Sequence, residues 1–511
     1  MTSPSSPLSR PLAGRALLIL LLALGGLLRL LDLTDPPLDF HPTRQLRNSL
    51  VARDIYYHIL PDTDTQTLAL TESFRRAVGQ YEPPISESIV AVTYRFTGGE
   101  NYAIPRLWGT LFWLLAGLAL YDLLRRAISP ASALAALTFY LVLPFSVQAS
   151  RSFQPDPLMT SAFVIGIYFL YRWSESLTPN SQSLTPNSYP ASPTSWRFAL
   201  LAGVFLGLAT LVKIVIAFFV GAAAIALVLF TLRKDFWKSK QVWAMAIIMV
   251  IPALTYYVFL NSNRSTEYFF SWSVALFKLI TSIHFYADWL GFIGSLFGLT
   301  VIFASLAGLF LAPPRLRGLL ICLWIGYAAY GLTLPFQMYT HSYYHIQLIP
   351  ILALGLASVL NPILEAVAGA GSVRRVAFVA VILALVGYQS WAARSVLAAE
   401  DFRHEPAFWE LVGDAIPADA DTIALTQDYG YRLMLWGWRK VTLWPLSTDL
   451  AAARNSERDL AAQFGELTAG KDYFLVTAFN QLDKQPDLKK ILDGYPIAAE
   501  GDGFVLYNLQ R

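Results

Sequence analysis

The sequence is short of charge. Of its 511 residues only 14% are Asp, Glu, Lys or Arg, against roughly 25% in soluble domains. That deficit excludes an ordinary soluble globule. Net charge is +3, too small to point to a nucleic-acid partner. The sole cysteine, Cys322, lies inside an apolar run, so no intrachain disulfide forms and cysteine usage says nothing about compartment. No Gly-rich phosphate loop occurs, and no internal repeat of about 20–50 residues is visible. Apolar residues, in contrast, make up 55% of the chain and aromatics 14%, as expected where Trp and Tyr belt two membrane interfaces.

A membrane-spanning helix needs about 20 mostly apolar residues to cross about 30 Å of hydrocarbon. Eleven segments qualify: 13–33, 105–124, 129–148, 157–173, 197–212, 214–232, 242–260, 287–311, 317–336, 345–361 and 375–393. The limits are least defined for the pair flanking Lys213 and for 287–311. The first run follows Arg10 and Arg15 and is not closed by a small-residue cleavage site before Arg29 and Asp32, so it reads as an uncleaved signal anchor. Lys and Arg in short loops set orientation. With the N-terminus inside, Arg125, Arg126, Arg172, Arg197, Arg233, Lys234, Lys238, Lys240, Arg315, Arg317, Arg374 and Arg375 all fall on the inner side. The C-terminus is then outside, in a cell (plasma) membrane protein.

Three regions fall outside the spans. Residues 34–104 form a long outer loop. An inner linker, 175–195, is rich in Ser, Pro, Asn and Thr and reads as flexible. Beyond the membrane domain, 1–395, a C-terminal domain, 396–511, alternates short β-like runs (Thr422–Thr426, Tyr473–Thr477, Phe504–Tyr507) with helical stretches (Pro406–Ile416, Asp449–Leu467). The expected fold class is therefore mainly α, a polytopic membrane helix bundle carrying a small extracytoplasmic α/β domain.

In this topology all six histidines (His41, His58, His284, His341, His345, His404) lie on the outer side. Longer outer loops would account for that bias, and so would an outward-facing active site. The first loop opens Asp35-Pro36-Pro37-Leu38-Asp39-Phe40-His41-Pro42-Thr43-Arg44-Gln45. A carboxylate at the water–lipid boundary is partly desolvated and so a stronger base; a Pro-stiffened turn of solvated residues explains the same string. Arg44, Arg47, Arg53, Arg75, Arg76, Arg95 and Arg106 follow, and a guanidinium fork suits phosphate oxygens, although ordinary surface charge suffices for most of them. Glu82 precedes two prolines and is held extended, which suits binding of sugar hydroxyls or a cation and equally suits a surface turn. Asp156, in Gln154-Pro155-Asp156-Pro157, opens a helix, and capping alone would account for it. Lys213 sits at an outer tip between two helices, placed either to meet a phosphate or merely to snorkel. In Tyr339-Thr340-His341-Ser342-Tyr343-Tyr344-His345, an aromatic belt explains the tyrosines better than the two histidines. His at i and i+4 is also a metal-ligand spacing, with Asp39, Glu82 or Asp156 as a further ligand.

Taken together, these motifs resemble the polytopic glycosyltransferases of the GT-C fold, which include protein mannosyltransferases, lipid A aminoarabinose transferases and related lipopolysaccharide sugar transferases. The matching pieces are Arg29-Leu30-Leu31-Asp32-Leu33 leading to Asp39, Glu82-Pro83-Pro84, Arg106-Leu107, Gln154-Pro155-Asp156-Pro157, Leu208-Ala209-Thr210-Leu211-Val212-Lys213, and His341-Ser342-Tyr343-Tyr344-His345 before Leu348-Ile349-Pro350. They span about residues 13–360. Some relatives carry Trp-Arg-Gln-x-Asp in the first loop; here Arg44-Gln45 fits that frame but Arg47 stands where the Asp would be. The base is then Asp39, with His41 in reserve.

The resemblance implies transfer of a sugar from a polyprenyl-phosphate donor to a lipid, glycan or protein acceptor, by one inverting displacement. Arg44, Lys213, His341, Tyr344 and His345 would hold the donor phosphate, while Glu82 and Asp156 would orient the base, the sugar or an optional divalent metal cation. A rival class, a lipid or solute transporter or flippase, predicts mid-membrane charges, broken helices and internal repeats. A third, a scaffold displaying the C-terminal domain, predicts that the first-loop and late motifs stay apart.

Overall fold

In a computed structural model, residues 11–177, 193–261, 267, 270–447 and 460–510 are described. The core of the 175–195 linker and the first half of the 449–467 stretch lie outside these residues. The chain divides into a membrane unit, Met1–Leu33, Gln80–Ser86 and Ala103–Ala399, and a sheet unit, Thr34–Gly79, Glu87–Tyr102 and Glu400–Arg511.

Eight helices of the described residues are long and apolar enough to cross a membrane, ten if each of two bent helix pairs counts as one span. The protein is a multi-pass membrane protein. Each of the eleven expected spans has a helical counterpart, with two corrections. First, 287–311 is not one straight helix: Ile283–Phe297 and Leu299–Leu311 meet at 97° across Gly298, whose φ of +83° is open to glycine at no steric cost. Residues 129–148 are likewise broken, by 62°, into Pro130–Val142 and Pro144–Arg151, because Pro144 removes an N–H and its ring blocks the preceding turn. Second, 157–173 becomes the longer helix Pro155–Leu177, too polar to stand among the eight. It is buried on nearly all sides and packs along Pro193–Val212. Neighbouring helices approach closely at small residues. A methyl group on Gly308 or Gly355 would strike the backbone of the other's helix.

The long first loop is helical. Pro42–Ile59, Thr65–Val78 and Ile85–Thr97 fill most of it. The middle helix starts at Asp64, whose carboxylate caps the Thr67 N–H at 2.7 Å, and stops at Gly79 with φ +69°. Five strands, β1 (Thr422–Leu425), β2 (Thr442–Leu443), β3 (Tyr473–Val476), β4 (Ile497–Gly501) and β5 (Phe504–Asn508), run in the order β2-β1-β3-β5-β4. The pairs β1–β2 and β1–β3 are parallel, and β3–β5 and β4–β5 are antiparallel. Both sheet faces are covered, which is why β1 and β3 read as unbroken apolar runs. Ala424, Leu475 and Leu506 face a core with Leu46, Leu50 and Phe74 of the first-loop helices and Trp409. Ile423, Leu425, Phe474 and Val476 face Phe464, Leu488 and Leu492.

Trp409 is fully buried in the first of these cores, and its indole N–H donates to Glu405 at 2.7 Å. Trp409→Ala is expected to cost the sheet unit about 3–5 kcal/mol. Hydrogen exchange over β1 and β3 checks this, and a loss under about 1 kcal/mol would misplace the core.

Candidate active site

In the membrane unit, three arginines gather the end of the first helix. Arg29, in the last turn of Pro11–Leu30, is fully buried. It donates to Ser150 Oγ at 2.7 Å, to the carbonyls of Gly25 and Leu141 at 2.8 and 2.9 Å, and to Ser146. Oxygen acceptors thus satisfy a guanidinium that lipid would otherwise strand. Arg151 donates to the carbonyls of Leu31 and, at 2.9 Å, Asp32, and Arg106 to that of Leu33 at 2.9 Å. These carbonyls follow the helix end, and side chains from two other helices take them up.

The membrane unit also holds a buried ion pair. Asp156 stands in the first turn of Pro155–Leu177, where prolines cost no hydrogen bond and the helix dipole favours a carboxylate. Lys213 follows the last residue of Pro193–Val212, in extended backbone (φ −156°, ψ 115°). Its ammonium reaches Asp156 Oδ1 at 2.8 Å. Both side chains are at most 5% exposed, and Asp156 Oδ2 has no hydrogen-bond partner. The ammonium also lies 4.8 and 4.9 Å from the ring centroids of Tyr343 and Tyr344, within cation–π range.

These tyrosines belong to the 3-10 turn Ser342–His345, which His345 secures. His345 Nε2 lies 3.0 Å from the Met338 carbonyl and Nδ1 2.8 Å from the Tyr327 hydroxyl. A carbonyl only accepts, so Nε2 carries the proton and Nδ1 accepts from Tyr327. Tyr327 in turn accepts the Trp289 indole N–H at 2.9 Å. His341, four residues earlier and half-buried, has Nδ1 2.7 Å from the Thr340 hydroxyl. In the same unit, Asn261 donates to the Gln80 and Tyr81 carbonyls at 3.2 and 3.1 Å, and Gln80 to the Tyr256 hydroxyl at 3.0 Å. That docking carries Glu82, which lies within electrostatic range of Tyr257.

In the sheet unit, Asp39 is half-buried and accepts from Gln45 Nε2 at 3.0 Å; the same amide donates to the Phe40 carbonyl. His41 occupies the left-handed region (φ 49°) just before Pro42–Ile59, its ring edge-on to Phe40. Arg44 lies half-buried in the first turn of that helix. Thr43 donates to Asp428 at 2.7 Å, and Arg432 bridges Asp428 and Glu405 at 2.7 and 2.8 Å.

The sequence model of dolichyl-phosphate-mannose-protein mannosyltransferases matches residues 77–269. In three dimensions the chain is similar to ArnT from Cupriavidus metallidurans bound to undecaprenyl phosphate, with 14% identity, a TM-score of 0.57 and 98% of both chains covered. It is similar to the archaeal oligosaccharyltransferase AglB from Archaeoglobus fulgidus, in complex with an inhibitory peptide and a dolichol-phosphate (12% identity, TM-score 0.58, 99% of this chain and 75% of that one). The arabinofuranosyltransferase AftD from mycobacteria is also similar (15% identity, TM-score 0.51, 97% and 40%). No curated protein matches the chain in sequence. The chain has the GT-C fold.

Within this GT-C fold, the structure brings together Asp156, Lys213 and Tyr344 of the residues singled out in the sequence, with Tyr343 beside them. It corrects the expectation for His345, which is fully buried with both ring nitrogens engaged by protein atoms, leaving none for a phosphate or a metal. Arg47, which stands where some relatives have Asp, is buried and donates to the Gly79 carbonyl at 3.0 Å, so it staples two helices of the sheet unit. Among the described residues no three His, Cys, Asp or Glu gather to hold a metal, and Asp156 already faces an ammonium. Sequence reasoning missed the roles of Arg29, Arg151 and Gln45. A lone arginine inside an apolar run was the available signal for the first.

Removing either partner of the pair strands a buried charge. Asp156→Asn and Lys213→Met are each expected to cost about 3–5 kcal/mol, with the double variant back within about 1 kcal/mol of the parent. Thermal unfolding in detergent measures the cycle; additive single effects would refute the coupling.

Proposed function

We propose that the protein is a membrane glycosyltransferase that moves a sugar from a polyprenyl-phosphate donor to an acceptor hydroxyl on the extracytoplasmic face, with inversion. The observation that carries this reading is the buried Asp156–Lys213 pair roofed by Tyr343 and Tyr344, in a fold shared with an enzyme solved with undecaprenyl phosphate and another solved with a dolichol-phosphate. A cation fixed before the substrate arrives stabilises charge that grows on a leaving phosphate, and does so most in a water-poor site. The N-terminus is cytoplasmic and the C-terminus extracytoplasmic in this reading.

The acceptor oxygen attacks the anomeric carbon as the bond from that carbon to the phosphate oxygen breaks. The acceptor proton passes to Asp39, and the polyprenyl phosphate departs with the electron pair. Gln45 holds the Asp39 carboxylate by one oxygen, which orients the base; His41 is the reserve base. Lys213, Arg44, His341 and the Tyr344 hydroxyl receive the phosphate charge. Asp156 positions Lys213, Glu82 orients the sugar, and His345 acts through the turn that presents the two tyrosines. The sugar is a hexose or a pentose, and the acceptor a lipid, glycan or protein.

A second reading, a lipid flippase, draws on the helix pairs bent by 62° and 97°. A flippase moves the sugar–phosphate lipid intact, whereas a transferase breaks its glycosidic bond. With defined polyprenyl-phosphate sugars and purified protein, free polyprenyl phosphate should accumulate. Asp39→Asn should slow that release by about 10²–10⁴-fold with normal expression and donor binding. Undiminished release by this variant would remove Asp39 from the base role.

A further inference from the structure

The sheet unit holds an open cavity of about 500 Å³, lined among others by Tyr57, Asp62, Thr63, Asp64, Thr67 and Trp438. Its size falls in the range of small-ligand pockets, about 300–1,000 Å³. None of these residues belongs to the proposed transfer machinery.

Two aromatic rings form one side. Tyr57 and Trp438 meet at 74° with centroids 5.9 Å apart, making a corner. The corner is held from behind. The Arg53 guanidinium lies 4.4 Å from the Trp438 ring centroid and is fixed by a two-pronged contact with Glu100 at 2.8 and 2.9 Å and by the Leu435 carbonyl at 2.6 Å. Trp438 sits at φ +51°, a conformation that bulky residues rarely adopt and that persists where the surroundings over-determine it. Its indole N–H makes no hydrogen bond to the described residues. The Tyr57 ring is half-buried, and desolvation, then the nearby Glu100 charge, raises its hydroxyl above the usual tyrosine range. It therefore stays a neutral donor at physiological pH.

The facing loop is polar. Thr63 donates to the Tyr57 carbonyl at 2.9 Å, which pins the loop to the aromatic side. Asp64 is occupied with capping Thr67. Asp62, exposed at φ +68°, presents its carboxylate without a protein partner among the described residues. Arg53 is matched by Glu100, so the surplus charge around the cavity is negative.

From this we infer that the cavity binds a neutral saccharide unit, its C–H face stacked in the Tyr57–Trp438 corner and its hydroxyls bonded to the Asp62 carboxylate, the Tyr57 hydroxyl and the indole N–H. An aromatic face paired with a few placed hydrogen-bonding groups suits a sugar ring, apolar on one face and rich in hydroxyls at its rim. The negative surplus disfavours uronic acids and phosphorylated glycans. The inference does not depend on the transfer reaction.

Saturation-transfer difference NMR on the full-length protein in nanodiscs tests it, with lactose, mannobiose and glucuronate as probes. Saturation of the ring protons of at least one neutral disaccharide is expected, with little on glucuronate. Trp438→Ala should weaken binding at least tenfold. Because that variant also uncovers Arg53, Asp62→Asn provides the second arm: Asn keeps the left-handed backbone, sits on an exposed loop, and should weaken binding several-fold with unfolding unchanged. No saturation of either disaccharide, equal saturation in both variants, or stronger saturation of glucuronate would overturn the inference. Binding without any sugar transfer would leave the cavity assigned and count against the transferase reading alone.

Discussion

Lys213 and Asp156 are nearly inaccessible, and neither charge is tolerable in that place without the other. Desolvating an ammonium or a carboxylate costs several kcal/mol per ion, more than a marginally stable fold can spare. The pair therefore constrains both elements that carry it. Pro193–Val212 must stop where it does so that Lys213 can leave helical geometry and aim its side chain. Pro155–Leu177 must start with its carboxylate in the first turn, which the flanking prolines make inexpensive. The Tyr343–Tyr344 turn gives the ammonium two π faces in place of water, and the Trp289–Tyr327–His345–Met338 chain fixes that turn. An ion pair thus ties three separate stretches of the membrane unit together.

The membrane helices were legible because lipid imposes a simple rule: backbone polar groups must be satisfied within the segment, so length and apolarity suffice to find it. The same rule misled at 287–311, where apolarity runs through Gly298 without a sign of the turn there. Pro155–Leu177 was legible in spite of its polarity because its neighbours, not lipid, cover it. In the sheet unit, β1, β3 and β5 announced themselves as apolar runs. The edge strands β2 and β4 did not, since they are short or exposed. The first-loop helices escaped notice although Asp64 and Gly79 bracket one of them, because their apolar residues are spent on a core whose other half lies more than 300 residues further along the chain.

Candidate residues were legible as types and only partly as roles. Asp156 and Lys213 pair, which nothing in their spacing of 57 residues reveals. His345 shows the limit of motif reading: a histidine beside tyrosines at an interface has the composition of a binding group, but whether a ring nitrogen remains available depends on Tyr327 and Met338. Arg47 is the converse. Its departure from the relatives' pattern looked like a lost carboxylate, whereas the structure uses the position to hold the Gly79 carbonyl at the end of a helix.

The bend at Gly298 has a consequence for the lipid itself. Leu299–Leu311, 13 residues long, rises only about 20 Å, short of the about 30 Å of a typical hydrocarbon slab. Its partner turns away at 97° and cannot make up the difference. A segment shorter than the slab is accommodated by local thinning, by snorkelling of its flanking residues or by association with other helices. The partner Ile283–Phe297, 15 residues long, rises only about 22 Å, so neither arm of the bent pair makes a full crossing by itself.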